Sequence, residues 1–180
     1  HVLEPATPAD GSRFGASVSI SYSGDVIAIG SCAEAADAGF AEVFRWTGST
    51  YENSVHLDRN SPQAAQGHTF PTSGWMNEGF GCSVSLSGDG NIVAVGAPRW
   101  TVRTGEVESG LVAVYKWNSY FNTYVERAGT GSSGEGHKGY FPLAYTDPTP
   151  RTGTAISLNY NGDVIAIGSP TANSNVGYVD

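Results

Sequence analysis

Phe-Gly-Cys-Ser-Val-Ser-Leu-Ser-Gly-Asp-Gly-Asn-Ile-Val-Ala-Val-Gly-Ala-Pro, residues 80–98, is the stretch that decides the fold. Over residues 83–87 apolar side chains alternate with serines, a period of two that is typical of a half-buried strand. Asp89-Gly90 favours a two-residue hairpin turn, because this dipeptide tolerates positive φ. The apolar run of residues 92–95 ends at glycine, alanine and proline, which terminate a second strand. The stretch therefore predicts a β-hairpin.

The same pattern occurs three times. Residues 14–30 match it without a gap, and so do residues 152–170. The turn positions are Ser23-Gly24, Asp89-Gly90 and Asn161-Gly162. Three ungapped matches indicate a repeated structural unit.

Each hairpin is followed by further strand-like segments. Residues 39–46 and 110–117 share a glycine start and an aromatic–basic–tryptophan end, and shorter polar strands follow near residues 51–57 and 124–127. Four strands per repeat is the pattern of a propeller blade. The sequence thus predicts an all-β fold of propeller blades with four antiparallel strands each, about three of them visible, as a segment of a larger propeller.

The repeat also sets the expected unit boundaries. Residues 1–57 hold the outer strand of a preceding blade plus blade 1, residues 58–127 form blade 2, and residues 128–180 form an incomplete blade 3. That outer strand is expected at residues 2–4. The first residue is His1 rather than Met, so we expect a processed chain or a piece of a longer one. Three blades by themselves would leave two apolar faces open.

Composition limits the classes of partner. Of 180 residues, 39% are hydrophobic, and 24 Gly and 9 Pro indicate a turn-rich chain that can bury a core. Nine Lys and Arg against 17 Asp and Glu give a net charge of −8, which argues against nucleic acid or an anionic membrane as partner. No apolar run approaches the roughly 18 residues of a spanning helix, so we predict no membrane insertion.

These residues resemble the FG-GAP repeat, the blade unit of the integrin alpha-chain propeller and of many surface proteins of microbes and algae. The second copy carries Phe80-Gly81 and Gly96-Ala97-Pro98; Cys32 replaces the proline in the first copy, and Thr152 replaces the phenylalanine in the third. The resemblance covers nearly the whole chain and implies a propeller fold. Because propellers host binding, scaffolding and catalysis alike, it says little about function.

Metal, cofactor and catalytic motifs are not predicted. Family members often carry an Asp-x-Asp-x-Asp-Gly calcium loop between the first two strands, whereas each loop here has one carboxylate, too few for a typical calcium site. Residues 134–139 spell G-x-G-x-x-G, but without the strand and helix that a dinucleotide site needs. The four histidines show no zinc-ligand spacing.

The two cysteines allow two interpretations. Cys82 lies where the first repeat has Ala16, which favours an unpaired, small, buried side chain. The alternative is a bridge between Cys32 and Cys82 that links neighbouring repeats.

The long connections carry the predicted binding residues. Segments between the second and third strands, and between blades, are longer than the other turns and would emerge on one face of a propeller, where insertions usually mark partner binding. Trp100 lies between two cations, and aromatic residues and Arg are enriched at binding hot spots; a Trp that plugs its own loop is an equally good interpretation. The predicted partner-binding residues are Arg99, Trp100, Arg103, Trp75 and Tyr140. Trp46 and Trp117 recur at one repeat position, which favours packing between blades.

The leading functional hypothesis is a non-enzymatic interaction module. We expect a propeller scaffold of an extracellular, cell-surface or lumenal protein, which binds a protein partner or further blades of the same assembly through its long loops. A carbohydrate-binding propeller is the first alternative, with Trp75, Trp100 and Tyr140 stacking on sugar rings. A hydrolase built on the propeller is the second.

Overall fold

The computed structural model describes residues 2–8, 10–33, 39–58, 79–100, 110–126, 151–172 and 176–179. Over these residues the chain is all-β, with its strands in three separate antiparallel sheets, none of them closed. The strands are β1 (Phe14–Ile20), β2 (Val26–Ser31), β3 (Phe40–Trp46), β4 (Tyr51–Leu57), β5 (Ser83–Leu86), β6 (Ile92–Ala97), β7 (Leu111–Asn118), β8 (Thr123–Glu126), β9 (Ala155–Leu158), β10 (Ile165–Ser169) and β11 (Tyr178–Val179).

Each sheet is a meander in chain order. Sheet 1 is β1-β2-β3-β4, sheet 2 is β5-β6-β7-β8, and sheet 3 contains β9, β10 and β11. The registers are equivalent between repeats: Val18 pairs with Ile29 in sheet 1, as Val84 pairs with Val95 in sheet 2. The three predicted hairpins and the all-β class are confirmed.

The hairpin turns are longer than predicted. In sheet 2 the last closing pair is Ser87 with Ile92, whose carbonyl accepts from Ser87 N at 2.9 Å. Four residues, 88–91, therefore lie in the loop, and the prediction of a two-residue turn is wrong. The serine hydroxyl explains the difference, since Ser87 Oγ accepts a hydrogen bond from Ile92 N at 2.9 Å and fixes the wider closure. Gly90 has φ +68° inside this loop, and its amide donates back to Ser87 O.

The sheets pack face to face in chain order. β1 lies beside β5, and β5 lies beside β9. One cluster joins sheets 1 and 2, with Val43 and Leu57 buried against Val95 and Tyr115. A second cluster joins sheets 2 and 3. As a result β5 is buried on both faces, serines included, and the expectation of a half-buried strand is wrong for it.

The outer faces of sheets 1 and 3 remain exposed. Ile20 is 60% exposed in sheet 1, whereas its equivalent Leu86 in sheet 2 is 6% exposed. Val164, directly before β10 of sheet 3, is 61% exposed, against 5% for its equivalent Ile92. Sheet 2 is thus the one sheet of the described chain that has a neighbour on both sides.

The segment before β1 lies against sheet 1 without forming a strand. Residues 2–5, where the sequence predicts the outer strand of a preceding blade, have no regular secondary structure. The amide of Ala6 instead donates to both carboxylate oxygens of Glu42, at 3.1 and 3.2 Å. Among the described residues, no helix has both the length and the apolar character needed to span a bilayer.

Candidate functional site

Serines on the first strands of sheets 1 and 2 connect each of these sheets to the next. Ser17 Oγ on β1 donates to the carbonyl of Gly81 at 2.8 Å. One repeat later, Ser83 Oγ on β5 donates to the carbonyl of Gly153 at 2.6 Å. The same contact thus forms at both sheet interfaces, because equivalent residues occupy both ends of it.

A second serine position accepts a backbone hydrogen bond. Ser19 Oγ receives the amide of Leu86, and Ser85 Oγ receives the amide of Leu158, each at 2.9 Å. These amides belong to β5 and β9, each of which has a hydrogen-bonded neighbouring strand on one side alone. The serines therefore satisfy edge-strand donors that would otherwise lose a partner on burial.

The hairpin turns add a backbone contact to each interface. Tyr22 N donates to Gly88 O at 2.8 Å, and Gly88 N donates to Tyr160 O at 2.7 Å. The rings of Tyr22 and Tyr160 also meet edge to face, with centroids 5.9 Å apart. The first hairpin turns of all three sheets therefore contact one another.

Two glycines allow the sheets to approach this closely. A β-carbon on Gly30 would collide with the carbonyl of Gly81, and one on Gly96 with the carbonyl of Gly153. Gly81 has φ +83° and Gly153 φ +84°, a region that L side chains rarely adopt. The glycines of the two halves of the motif thus contact each other between adjacent sheets.

Arg45 ties the outer part of sheet 1 to sheet 2. Its guanidinium lies 3.9 Å from the centroid of Trp117 and donates to Tyr124 Oη at 3.1 Å and to Gly90 O at 3.2 Å. The pKa of the Tyr124 phenol is raised by burial, against the opposing charge of Arg45. A cation over an indole ring in a partly buried site stabilises the contact. Sequence reasoning did not identify this residue.

A disulfide lies at the end of the sheets where the long connections begin. Cys32, just after β2, is bonded to Cys82, just before β5. The favoured interpretation of an unpaired Cys82 is therefore wrong, and the alternative of a bridge between repeats is correct. The two cysteines meet because they directly follow the region in which Gly30 and Gly81 touch.

The anchors of both classes of long connection meet at this same end. Gly39, which lies between residues 34–38 and the start of β3, forms a parallel bridge with Phe80, which lies shortly after residues 59–78. Gly110 and Thr152 form the equivalent bridge one repeat later. The start of each third strand therefore lies beside the start of the next sheet. Segments from two parts of the sequence leave the sheets at one place.

The predicted binding residues divide into two groups. Trp100 is 4% exposed and belongs to the core, so its ring packs inside the protein and not at a surface. Arg99 is partly buried and donates to the carbonyl of Ala33 at 2.6 Å, across the interface of sheets 1 and 2. Arg103, Trp75 and Tyr140 lie outside the described residues.

The two recurring tryptophans have different environments. Trp117 packs against the core and meets Tyr124 at 5.2 Å between ring centroids. Trp46 meets Tyr51 in the same way at 5.0 Å, but it is 38% exposed because no described sheet covers that side of sheet 1. Packing between sheets is thus seen for Trp117.

The opposite, hairpin end contains a polar cleft of about 540 Å³ between sheets 2 and 3. Its base is formed by the turns 88–91 and 160–163 and by the end of β7. The side chains that line it include one aromatic, one cation, two amides and two carboxylates: Trp117, Lys116, Asn91, Asn161, Asp89 and Asp163. These groups could contact a small polar ligand.

Hydrogen bonds within the turn occupy the carboxylate of Asp89. Partial burial disfavours its charge, but donors from Ser87 Oγ at 2.6 Å and from Asn91 N at 2.9 Å outweigh it and lower the pKa of Asp89. This carboxylate therefore orders its own loop. In the described ranges no three His, Cys, Asp or Glu residues come together in a way that could hold a metal ion.

Sheet 1 contains an acid–base pair with a buried carboxylate and a partly exposed imidazole. Glu42 is fully buried, and its Oε1 lies 3.2 Å from Nδ1 of His56. The hydrogen bond with Glu42 raises the pKa of His56, burial opposes this, and the charge of Asp58 adds to the rise. Since Glu42 also holds the amide of Ala6, the pair fixes the segment that precedes β1.

The described chain is therefore an all-β protein of three packed antiparallel sheets, joined by a repeated set of contacts and one disulfide. Neither a scan against models of protein families nor a search of curated proteins found a match to it.

Proposed function

We propose that this chain is a segment of an FG-GAP-type β-propeller and acts as a non-enzymatic interaction module. The observation that carries the proposal is the meeting of the long-connection anchors at one end of the sheets, through the Gly39–Phe80 and Gly110–Thr152 bridges. A partner bound there would contact several segments held by a common rigid base.

The radial arrangement is supported by the order of the sheets. The first strand of each sheet lies beside the first strand of the next, and turns from the first and third sheets touch through Tyr22 and Tyr160. Successive four-stranded meanders with adjacent inner strands are the arrangement of propeller blades. The glycine contacts bring the second half of the motif in one sheet against the first half of the motif in the next sheet.

A location outside the reducing cytosol is supported by the disulfide. Such bonds persist mainly in extracellular, lumenal or periplasmic compartments. The Cys32–Cys82 bond joins two sheets at the base of the long connections, so oxidation would hold that base together. We propose an extracellular, cell-surface or lumenal setting on this ground.

The test compares loop replacements at the two ends of the sheets. In one variant a Gly/Ser linker of equal length replaces residues 101–109, and in the matched control such a linker replaces the turn 119–122. Proteins from the native extracellular fraction that bind the wild-type chain are identified by mass spectrometry. We expect binding to be lost in the first variant and kept in the control. Equal binding by both variants, or loss in the control alone, would contradict the proposal.

The hairpin-end cleft favours a second candidate function, carbohydrate binding. Amide and carboxylate groups beside an aromatic ring are suited to sugar hydroxyls and to the apolar face of a pyranose. This cleft would replace the loop aromatics expected from sequence, of which Trp100 is buried. Glycan-array binding that Asn161→Ala abolishes would support it. An array without hits would rule it out.

A further inference from the structure

We propose that the open face of sheet 3 binds the open face of sheet 1 in a second copy of this chain, head to tail. We call the exposed side of β1 and its turn, with Gly15, Val18, Ile20 and Gly24, the head face. The side of sheet 3 that carries Ser157, Val164, Ala166 and Gly168 is the tail face. This surface is separate from the long-connection end, so the inference does not depend on partner binding there. It rests on the sheet packing of the proposed propeller, and a failure to associate would leave the loop-replacement test of partner binding unaffected.

The internal interfaces define what each face accepts. Sheet 1 contacts sheet 2, and sheet 2 contacts sheet 3, through equivalent residues at both interfaces. Sheets 1 and 2 each contact the following sheet through one of their faces, and the tail face is the equivalent face of sheet 3. Sheets 2 and 3 each contact the preceding sheet through their other face, and the head face is the equivalent face of sheet 1. The two open faces are therefore the two halves of one interface that the chain already forms twice.

The glycine contact is available at both open faces. Where Gly96 meets the Gly153 carbonyl, a β-carbon has no room. At the equivalent Gly168, the nearest atoms to such a carbon belong to Ala155, at 3.5 Å or more, and around Gly15 no described atom lies within 4 Å. Gly168 of one copy can therefore approach the carbonyl of Gly15 in the other.

An apolar contact is available as well. Val26 packs against Gly90 of the next sheet, and Ile92 packs against Gly162. Val164 is the third residue of this series and is 61% exposed. Its equivalent partner in a second copy is Gly24, near which a β-carbon would meet one atom, Ile20 Cδ1, at 4.0 Å. Docking would bury Val164 together with Val18 and Ile20, which are 66% and 60% exposed.

Of the two serine hydrogen bonds at each internal interface, one can form between the two open faces and the other cannot. Ser157 occupies the place of Ser19 and Ser85, so its hydroxyl can accept the amide of Ile20 from a second copy. Ala155 occupies the place of Ser17 and Ser83 and provides no hydroxyl donor. Each copy also has a net charge of −8, so copies repel one another at low salt. We therefore expect association to strengthen when salt is raised.

The experiment uses one substitution on each face. Val18→Asp places a charge on the head face, and Val164→Asp places one on the tail face, so each should prevent binding through that face. Both side chains are exposed in the monomer, so neither change should unfold it. Sedimentation velocity over a range of concentrations at moderate salt should show wild-type species of at least twice the 18.8 kDa chain mass. Each variant alone should remain monomeric.

The mixture of the two variants is the decisive sample. The Val164→Asp chain keeps an intact head, and the Val18→Asp chain keeps an intact tail, so an equimolar mixture should form dimers and nothing larger. Gly168→Ala should abolish association with its melting temperature unchanged. A wild-type chain that stays monomeric at all concentrations would overturn the proposal. So would variants that associate alone, a mixture without dimers, or normal association of Gly168→Ala.

Discussion

At the scale of single residues, equivalent positions of the repeat differ in burial because they differ in neighbours. Ile92 in sheet 2 is 5% exposed and lies against Gly162 of sheet 3. Val164 occupies the same place in sheet 3, where no described sheet covers it, and is 61% exposed. The chain therefore contains a buried site and an exposed site of nearly the same local structure.

This pair gives the first prediction. Ile92→Asp should lower the free energy of unfolding by several kcal/mol, because an unpaired carboxylate would be buried. Val164→Asp should change it by about 0.5 kcal/mol or less, as exposed substitutions usually do. Urea denaturation of both variants, at a concentration where the chain is monomeric, measures the difference. Equal losses in the two variants would mean that sheet 2 is not covered by sheet 3.

His56 gives the second prediction, a pH dependence of stability. Its pKa is raised in the folded protein, chiefly by the hydrogen bond with Glu42. The folded protein therefore stabilises the protonated imidazole of His56 relative to the neutral one. Its stabilising contribution is complete below the unfolded pKa of about 6.5 and is lost as pH rises through the higher folded value.

The measurement is urea unfolding of wild type and His56→Gln from pH 5.5 to 8.5. The difference in unfolding free energy between the two proteins should be largest at the acidic end and shrink toward the basic end. A difference that is constant with pH would show that folding does not raise the pKa of His56, and would contradict the proposed effect of Glu42.

At the scale of elements, the repeated hairpin sets both the strand register and the spacing between sheets. Serines on the first strand of a sheet form hydrogen bonds with the next sheet, and glycine on the second strand allows that sheet to approach closely. A sheet therefore cannot shift by one residue without exchanging its serine face for its apolar face.

A matched pair of glycines gives the third prediction. Gly96→Ala should destabilise the protein by about 1–3 kcal/mol or more, because its β-carbon would meet the backbone carbonyl of Gly153. Gly168→Ala, at the same position of sheet 3, should change stability by less than about 1 kcal/mol, because alanine suits a strand better than glycine does. Thermal melts of the monomeric proteins compare them. A harmless Gly96→Ala would contradict the close approach of sheets 2 and 3.

The sequence was sufficient to predict the strands and their pairing in each hairpin. Alternation and turn residues are local signals, and both are repeated three times. It was not sufficient for the turn length, since a glycine with positive φ suits a two-residue turn and a four-residue loop alike. The hydrogen bond between Ser87 and Ile92 decides between them.

The candidate site was predicted less well, because it depends on which sheets are neighbours. Trp100 next to arginine has the composition of a binding site, yet its ring belongs to the core. Alignment of Cys82 with Ala16 concealed its pairing, which requires the end of β2 to lie beside the start of β5. The recurring serines were a usable signal, since polar residues conserved in place between repeats of one chain indicate a repeated contact.

At the scale of the whole molecule, the disulfide cross-links the first two sheets and gives the fourth prediction. The bond closes a loop with a sequence separation of 50 residues. Its removal in a Cys32→Ala/Cys82→Ala variant should lower the free energy of unfolding by about 2–4 kcal/mol. Non-reducing peptide mapping of the wild type should recover the linked pair. Free thiols at both positions in oxidised, folded protein would contradict the pairing.

Consecutive repeats pack as consecutive sheets through one repeated set of contacts. Residue-resolved amide hydrogen exchange of the monomer tests it most directly. The amides of Leu86 and Leu158, which donate to serines of the neighbouring sheet, should exchange much more slowly than that of Ile20, which has the equivalent position but no described sheet alongside. Ser85→Ala should speed exchange at Leu158 more than at Leu86. Exchange at Leu86 and Leu158 as fast as at Ile20 would contradict the account.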